Sequence, residues 1–159
     1  MQINPINAAP ARPIMAQAVQ NAAWQVFDAY SNGDNIHLEM PGNPQVETDG
    51  QLTIAYTIVG ANQYSFWTSN IPRAGITPDQ ALAMFTAIIQ KNGGFVSNSS
   101  MHRQGNQTIL DIEGGVPAQL LTLKGRIIVT PGNVFYLETL SPNGANLHSE
   151  FVRRFKITN

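Results

Sequence analysis

The chain reads as an α+β domain, an antiparallel β-sheet meander with a central and a C-terminal α-helix packed on one face. Three observations carry this reading. Apolar and polar residues alternate in run after run, as where Ile36, Leu38 and Met40 interleave with His37 and Glu39. Turn-forming clusters punctuate the runs, among them Ser31-Asn32-Gly33-Asp34, Pro41-Gly42-Asn43-Pro44, Asp49-Gly50 and Pro131-Gly132-Asn133. Twice the apolar period lengthens to that of a helix, from Ala81 to Ile89 and again from Leu147 to Phe155.

The totals bound what such a domain can do. A chain of 159 residues is about one domain's worth and can bury one core. Charged residues make up 12%, about half the usual quarter, and the net charge is −1. Asn and Gln together outnumber the charged residues, so the surface is polar but weakly charged. Binding to nucleic acid or to an anionic membrane needs clustered Lys and Arg, yet the one adjacent basic pair is Arg153-Arg154. Without cysteine there is no disulfide, thiolate metal site or cysteine nucleophile. No run of about 18 apolar residues occurs, so no membrane-spanning helix is predicted.

Residues 1–23 mix Pro, Ala, Asn and Gln and read as a flexible N-terminal arm, with 15–23 able to form a helix if they dock. Arg12 is the first basic residue, and Pro5, Pro10 and Pro13 interrupt any apolar stretch, which makes a poor signal peptide. Ala16-Gln17-Ala18 has the form of a cleavage site, a match that Ala-rich sequence also gives by chance. Residues 24–159 are read as a single domain.

Trp24 opens the first strand, 24–29, and 36–40 is the second. Strands at 45–48 and 52–59 flank the Asp49-Gly50 hairpin signal, and 63–69 returns with Tyr64, Phe66 and Trp67. Thr77 then caps a helix, Pro78 suits its first position and Gln80 completes a capping box. Ala81, Leu82, Phe85, Ile88 and Ile89 make its apolar stripe, and Gly93-Gly94 ends it. Four more strands follow at 95–101, 108–113, 119–130 and 134–140. The last helix carries Leu147, His148, Phe151, Val152 and Phe155 on one side, and Lys156-Ile157-Thr158 forms an extended hook. Each helix has a single apolar stripe, so the simplest arrangement lays both on one face of one long sheet.

Several of these pieces fall in a familiar order: Trp24, the strand ending in Met40-Pro41-Gly42-Asn43-Pro44, the capped central helix, Lys124-Gly125-Arg126-Ile127, Val134-Phe135-Tyr136, and Phe151-Val152-Arg153-Arg154-Phe155-Lys156-Ile157. From Trp24 to Thr158 the chain resembles the small bacterial domains of the PsbP/DcrB-like superfamily. That fold is also similar to the photosystem II extrinsic subunit PsbP and to a Ran-binding nuclear import factor. The resemblance implies a PsbP-like α/β/α or two-layer sandwich, an accessory or binding role, and an extracytoplasmic or secreted location. It carries no catalytic set. The family's last segment would place a Ser before its final Phe, where this chain has Arg154.

Candidate sites are sparse. Tyr64, Phe66 and Trp67 are the strongest binding signal. Alternation sends Tyr64 and Phe66 to one sheet face and Trp67 to the other. If the first two face the helices, Trp67 lies on an open face with Trp24 nearby, where Trp favours interfaces. The competing reading is that the arm or a loop covers it. Arg153 and Arg154 fall largely away from the stripe of the last helix and complete a candidate binding set of Trp67, Trp24, Tyr64, Arg153 and Arg154. His37 and Glu39 share one strand face and could ligate a metal; Asp111 and Glu113 repeat the spacing. Two ligands so spaced are common by chance, and an exposed polar face is the default. His148, on or near the last helix's stripe, is more simply a helix–sheet contact than a base. No nucleophile elbow, P-loop or dinucleotide fingerprint occurs.

The residues and the resemblance together predict a non-enzymatic binding or accessory domain that interacts with another protein, without a cofactor and without nucleic acid. The alternative is a metal-binding or hydrolytic enzyme using His37 and the strand carboxylates.

Overall fold

A computed structural model describes residues 23–69, 73–142 and 145–158. Residues 1–22 of the expected arm lie outside them. The described elements run β1 (Trp24–Ser31), β2 (Asp34–Pro41), β3 (Gln45–Asp49), β4 (Leu52–Val59), β5 (Asn62–Ser69), α1 (Pro78–Lys91), β6 (Phe95–Gln104), β7 (Gln107–Val116), β8 (Leu121–Val129), β9 (Val134–Ser141), α2 (Ala145–Arg153) and β10 (Lys156–Ile157). This is the predicted antiparallel α+β class. The strands do not form one long sheet, however. Seven of them order as β3-β4-β5-β9-β8-β7-β6, and β1, β2 and β10 form a separate three-stranded sheet.

The two helices also do not share a face. The stripe of α1, with Ala81, Phe85 and Ile89, packs with Ile54, Trp67, Leu110, Ile127 and Tyr136. Phe151 of α2 and the following Phe155 pack with Tyr64, Phe66, Ile128, Phe135 and Leu137, together with Ile36, Leu38 and Met40 of β2. Neighbouring residues in β5, β8 and β9 thus belong to different cores, as alternation along a strand requires. The central strands are apolar on both sides, so each side needs a cover: α1 on one, α2 with the small sheet on the other. The α/β/α form is the one adopted, because a stripe says that a helix covers a face but not which face.

Local chemistry follows the sequence closely where caps and turns decide it. The Gln80 backbone N–H donates to Thr77 Oγ1 at 3.1 Å, and the Thr77 N–H donates to Gln80 Oε1 at 3.0 Å. Gly93, at φ 85°, supplies the left-handed turn after α1. The stretch expected as a strand from 119 starts later, because Pro117–Gln119 form a 3₁₀ turn and Leu120 takes a left-handed conformation at φ 56°. The β6–β7 hairpin extends further toward its turn than its apolar residues predict, since backbone pairing continues to Gln104 and Gln107.

One buried polar knot joins the turn of the small sheet to the turn of the large one. Asn133 Nδ2 donates to Asp34 Oδ2 at 2.6 Å and to the Ser31 carbonyl at 2.7 Å. Thr130 Oγ1 donates to the same Asp34 oxygen at 2.8 Å, and Asn32 Nδ2 donates to Asn133 Oδ1 at 2.9 Å. Beyond this knot the two sheets are joined by side-chain packing, above all through Phe151, which meets Tyr64 at 5.3 Å and Trp24 at 6.5 Å between ring centroids.

Phe151 is fully buried while Arg153 is exposed. Phe151→Ala should therefore lower stability by about 3–5 kcal/mol, and Arg153→Ala should change it by less than about 0.5 kcal/mol. Urea denaturation of both variants reads the difference; equal small shifts would mean that α2 is not docked.

Candidate functional site

β2 turns Ile36, Leu38 and Met40 inward and His37 and Glu39 outward, as its alternation predicts. On the outer side these two residues join a string of charges. His37 Nδ1 lies 2.7 Å from Asp28 Oδ1, and its Nε2 lies 3.6 Å from Glu39 Oε2. Arg154 donates to Glu39 Oε1 at 2.7 Å and to Glu150 Oε1 at 2.9 Å. Its guanidinium also lies over the Trp24 ring, 4.2 Å from the centroid. The structure thus brings together Trp24, His37, Glu39 and Arg154 from the predicted set, and β10 carries Lys156 opposite His37.

This arrangement does not favour the metal reading. One Glu39 oxygen is held by a guanidinium, which places a positive charge where a cation ligated by His37 and Glu39 would sit. Among the described residues no group of three His, Asp or Glu side chains is arranged to hold a metal ion. Asp111 takes both Arg126 nitrogens, at 2.7 and 3.1 Å, and Glu113 pairs with Lys124 at 3.8 Å. Each carboxylate has its own cation.

The aromatic expectation changes more. Trp67 is 1% exposed, packed against Phe85 of α1 and Tyr136, each at 6.4 Å. Tyr64 is also buried, on the other face, with Trp24 at 5.7 Å. No open sheet face is left for Trp67, because α1 covers that side. Arg153 is exposed, but it is not part of the Arg154 string.

Two features escaped the sequence. The first is an apolar cleft of about 570 Å³ between the small sheet and the β3–β4–β5 edge of the large one. Phe27, Leu38, Val46, Ala55 and Phe66 line it, and among the described residues no charged side chain does. β1 and β3, at its sides, are edge strands of their sheets. Val46 on β3 and Tyr30 on β1 are exposed, at 60% and 71%. Sequence marks these residues as strand residues; only the placement of one sheet against the other makes a cleft of them. The second is a pair of ionisable groups on opposite sides of β9, Glu138 on the strand itself and His148 on α2. Glu138 faces the α1 core, where burial raises its pKa to about 7 despite a hydrogen bond from Tyr136. On the other face His148 of α2 lies 3.1 Å from Thr139 Oγ1. Burial, followed by the nearby charge of Arg126, lowers its pKa to about 4.

His148 is therefore neutral in the folded protein over a range where the unfolded chain protonates it. Its contribution to stability is complete above pH 6.5 and is lost as pH falls toward about 4. The loss amounts to about 3 kcal/mol in full. The difference between the wild-type and His148→Asn stability curves, measured by denaturation from pH 4 to pH 8, should show this slope; parallel curves would exclude it.

No protein-family model matches the sequence, and no curated protein does. Among solved structures the chain is similar to a cyanobacterial PsbP (CyanoP) from Synechocystis sp. PCC 6803, solved in solution. The two share 10% identity over 86% of this chain and 94% of that one, with a TM-score of 0.61. At that identity the likeness concerns the fold alone: the chain has a PsbP-like α+β fold.

Proposed function

We propose that this domain is a non-enzymatic accessory module that binds another protein, and that the cleft between β1 and β3 receives the partner. A PsbP-like fold is compatible with an accessory or binding role. The observation that carries the reading is the charge-free apolar cleft flanked by two edge strands. Edge strands offer backbone N–H and C=O groups to an added strand, and a cleft beside them takes alternate side chains. The fitting partner is an extended, uncharged segment with apolar residues at every second position. An extracytoplasmic place of action belongs to the same reading and rests on the fold likeness. Of the binding residues expected from sequence, Trp67 and Tyr64 are buried and Trp24 is stacked under Arg154. That leaves Arg153 able to touch a partner without rearrangement.

No helix among the described residues is long and apolar enough to cross a membrane. A displayed library of about ten-residue peptides, matching the length of a strand, should enrich for alternating apolar sequences. Phe27→Asp combined with Val46→Asp should reduce their binding at least about tenfold, a loss of about 1.4 kcal/mol. Bound peptide should also slow hydrogen exchange in β1 or β3. No enrichment, or enrichment indifferent to the two substitutions, would refute the cleft as the docking site.

A further inference from the structure

The centre of the large sheet carries polar side chains that the core does not satisfy. Ser65 of β5 pairs with Glu138 of β9, with Gln63 opposite Leu140 and Trp67 opposite Tyr136 to either side. All six residues project to the face that α1 covers. Glu138 is 1% exposed, and its Oε2 accepts a hydrogen bond from the Tyr136 hydroxyl at 2.6 Å. Glu138 Oε1, Ser65 Oγ, Trp67 Nε1 and both amide atoms of Gln63 are buried without a hydrogen-bond partner. Buried polar atoms are nearly always paired, and an unpaired one is costly. Five such atoms on two adjacent strands call for an account.

Among the described residues the surroundings offer Glu138 no countercharge. β8 presents Leu123, Gly125 and Ile127 to this face; Lys124 and Arg126, on the other side, pair with Glu113 and Asp111. α1 turns Ala81, Phe85 and Ile89 to the sheet, and its two charged residues, Asp79 and Lys91, are exposed. From β4 the nearest titratable group is Tyr56, whose hydroxyl donates to Gln45 and Glu47 of β3. The remaining titratable neighbour is Tyr136. Gly125 makes that contact possible, since a Cβ there would stand 2.5 Å from the Tyr136 ring.

We propose that Glu138 is a proton-binding site that controls the order of the β5–β9 centre. With a proton taken from solvent, the carboxyl is neutral, and Tyr136 still donates to its other oxygen. When the proton returns to solvent, the carboxylate is left with the Tyr136 hydrogen bond and no cation among the described residues to answer it. Pairing on the α1 face then loosens.

Ser65 lies close enough to lower the Glu138 pKa, although its hydroxyl makes no hydrogen bond in the present geometry. The pKa of about 7 against an ordinary 4.5 fixes the sign. Below pH 4.5 folded and unfolded chains both hold the proton. From pH 4.5 to 7 the folded chain holds it and the unfolded chain does not, so stability falls as pH rises through this window. Above pH 7 the full difference is felt, on the order of a hundredfold or more in the unfolding equilibrium. His148, on the opposite face, has the reverse slope, so the two offset between about pH 4.5 and 6.5 in the wild type.

The test is made on the full chain. Backbone hydrogen exchange of β5 and β9, corrected for intrinsic rates, is compared at pH 5.5 and pH 8.0 in wild type, Glu138→Gln and Ser65→Ala. The Glu138 carboxyl is titrated in parallel by carbon NMR. Wild type should exchange about threefold faster at pH 8.0 in these strands, because His148 offsets about tenfold of a Glu138 effect of about thirtyfold. Glu138→Gln, which keeps a donor and carries no charge, should abolish the faster exchange at pH 8.0 and leave only the opposite slope of His148. Ser65→Ala should shift the midpoint of the carboxyl titration upward, since it removes a hydroxyl that lowers the Glu138 pKa. A carboxyl titrating at or below about pH 5, or exchange that is still faster at pH 8.0 than at pH 5.5 in Glu138→Gln, overturns the proposal. If Glu138→Gln fails to fold, the carboxyl titration of the wild type decides alone.

Discussion

The structure depends on a single constraint: β5 and β9 are buried on both faces. All eight residues of β9, from Val134 to Ser141, are buried. One side contributes Tyr136 and Leu140 to the core under α1, and the other contributes Phe135 and Leu137 to the core under α2. The rest of the architecture answers this demand. The small sheet exists because α2 alone does not cover the second face, and β2 supplies Ile36, Leu38 and Met40 to finish it. With a low proportion of charged residues, the chain can bury a central pair this way without many ionised groups to accommodate. Glu138 is the exception, and it lies at the middle of the pair.

Electrostatics divide along the same lines. On the outer sides, charges come in partnered strings: Asp28–His37–Glu39–Arg154–Glu150 on the small sheet, Asp111–Arg126 and Glu113–Lys124 on β7 and β8. Exposed strings of this kind contribute little to stability individually, but they fix the register of α2 and β10 against β2. Arg154, standing where the resembling family has a Ser, has a clear local role: it stacks on Trp24 and ties Glu39 to Glu150. Inside, the knot of Asp34, Thr130 and Asn133 is paired neutral to acidic, whereas the row at Gln63, Ser65 and Glu138 is not.

What the sequence made legible was whatever local chemistry decides. Thr77 and Gln80 announced α1 because a capping box is written in adjacent residues. The faces of β2 and the stripe of α2 followed from periodicity alone. The split of Phe66 and Trp67 to opposite faces was also readable, but whether Trp67 was covered depended on α1, which nothing near Trp67 specifies. For the same reason the two helices were assigned a common face when each has its own. Glu138 was invisible as a site: in Phe135-Tyr136-Leu137-Glu138-Thr139-Leu140 it occupies a position that looks solvent-facing, and only burial between β5 and β8 makes it otherwise. The cleft beside Phe27 and Val46 was hidden because it belongs to neither sheet alone.

β2 and β10 are far apart in sequence, since His37 pairs with Lys156. A ribosome adding about 5–20 residues per second leaves β2 without that partner for on the order of ten seconds. During this interval Ile36, Leu38 and Met40 have neither β9 nor Phe151 and Phe155 to pack against, while the β3–β4–β5 meander is already complete. The nascent chain therefore carries an apolar ribbon in search of cover, and the order of synthesis makes β1–β2 the segment most in need of a chaperone's shelter.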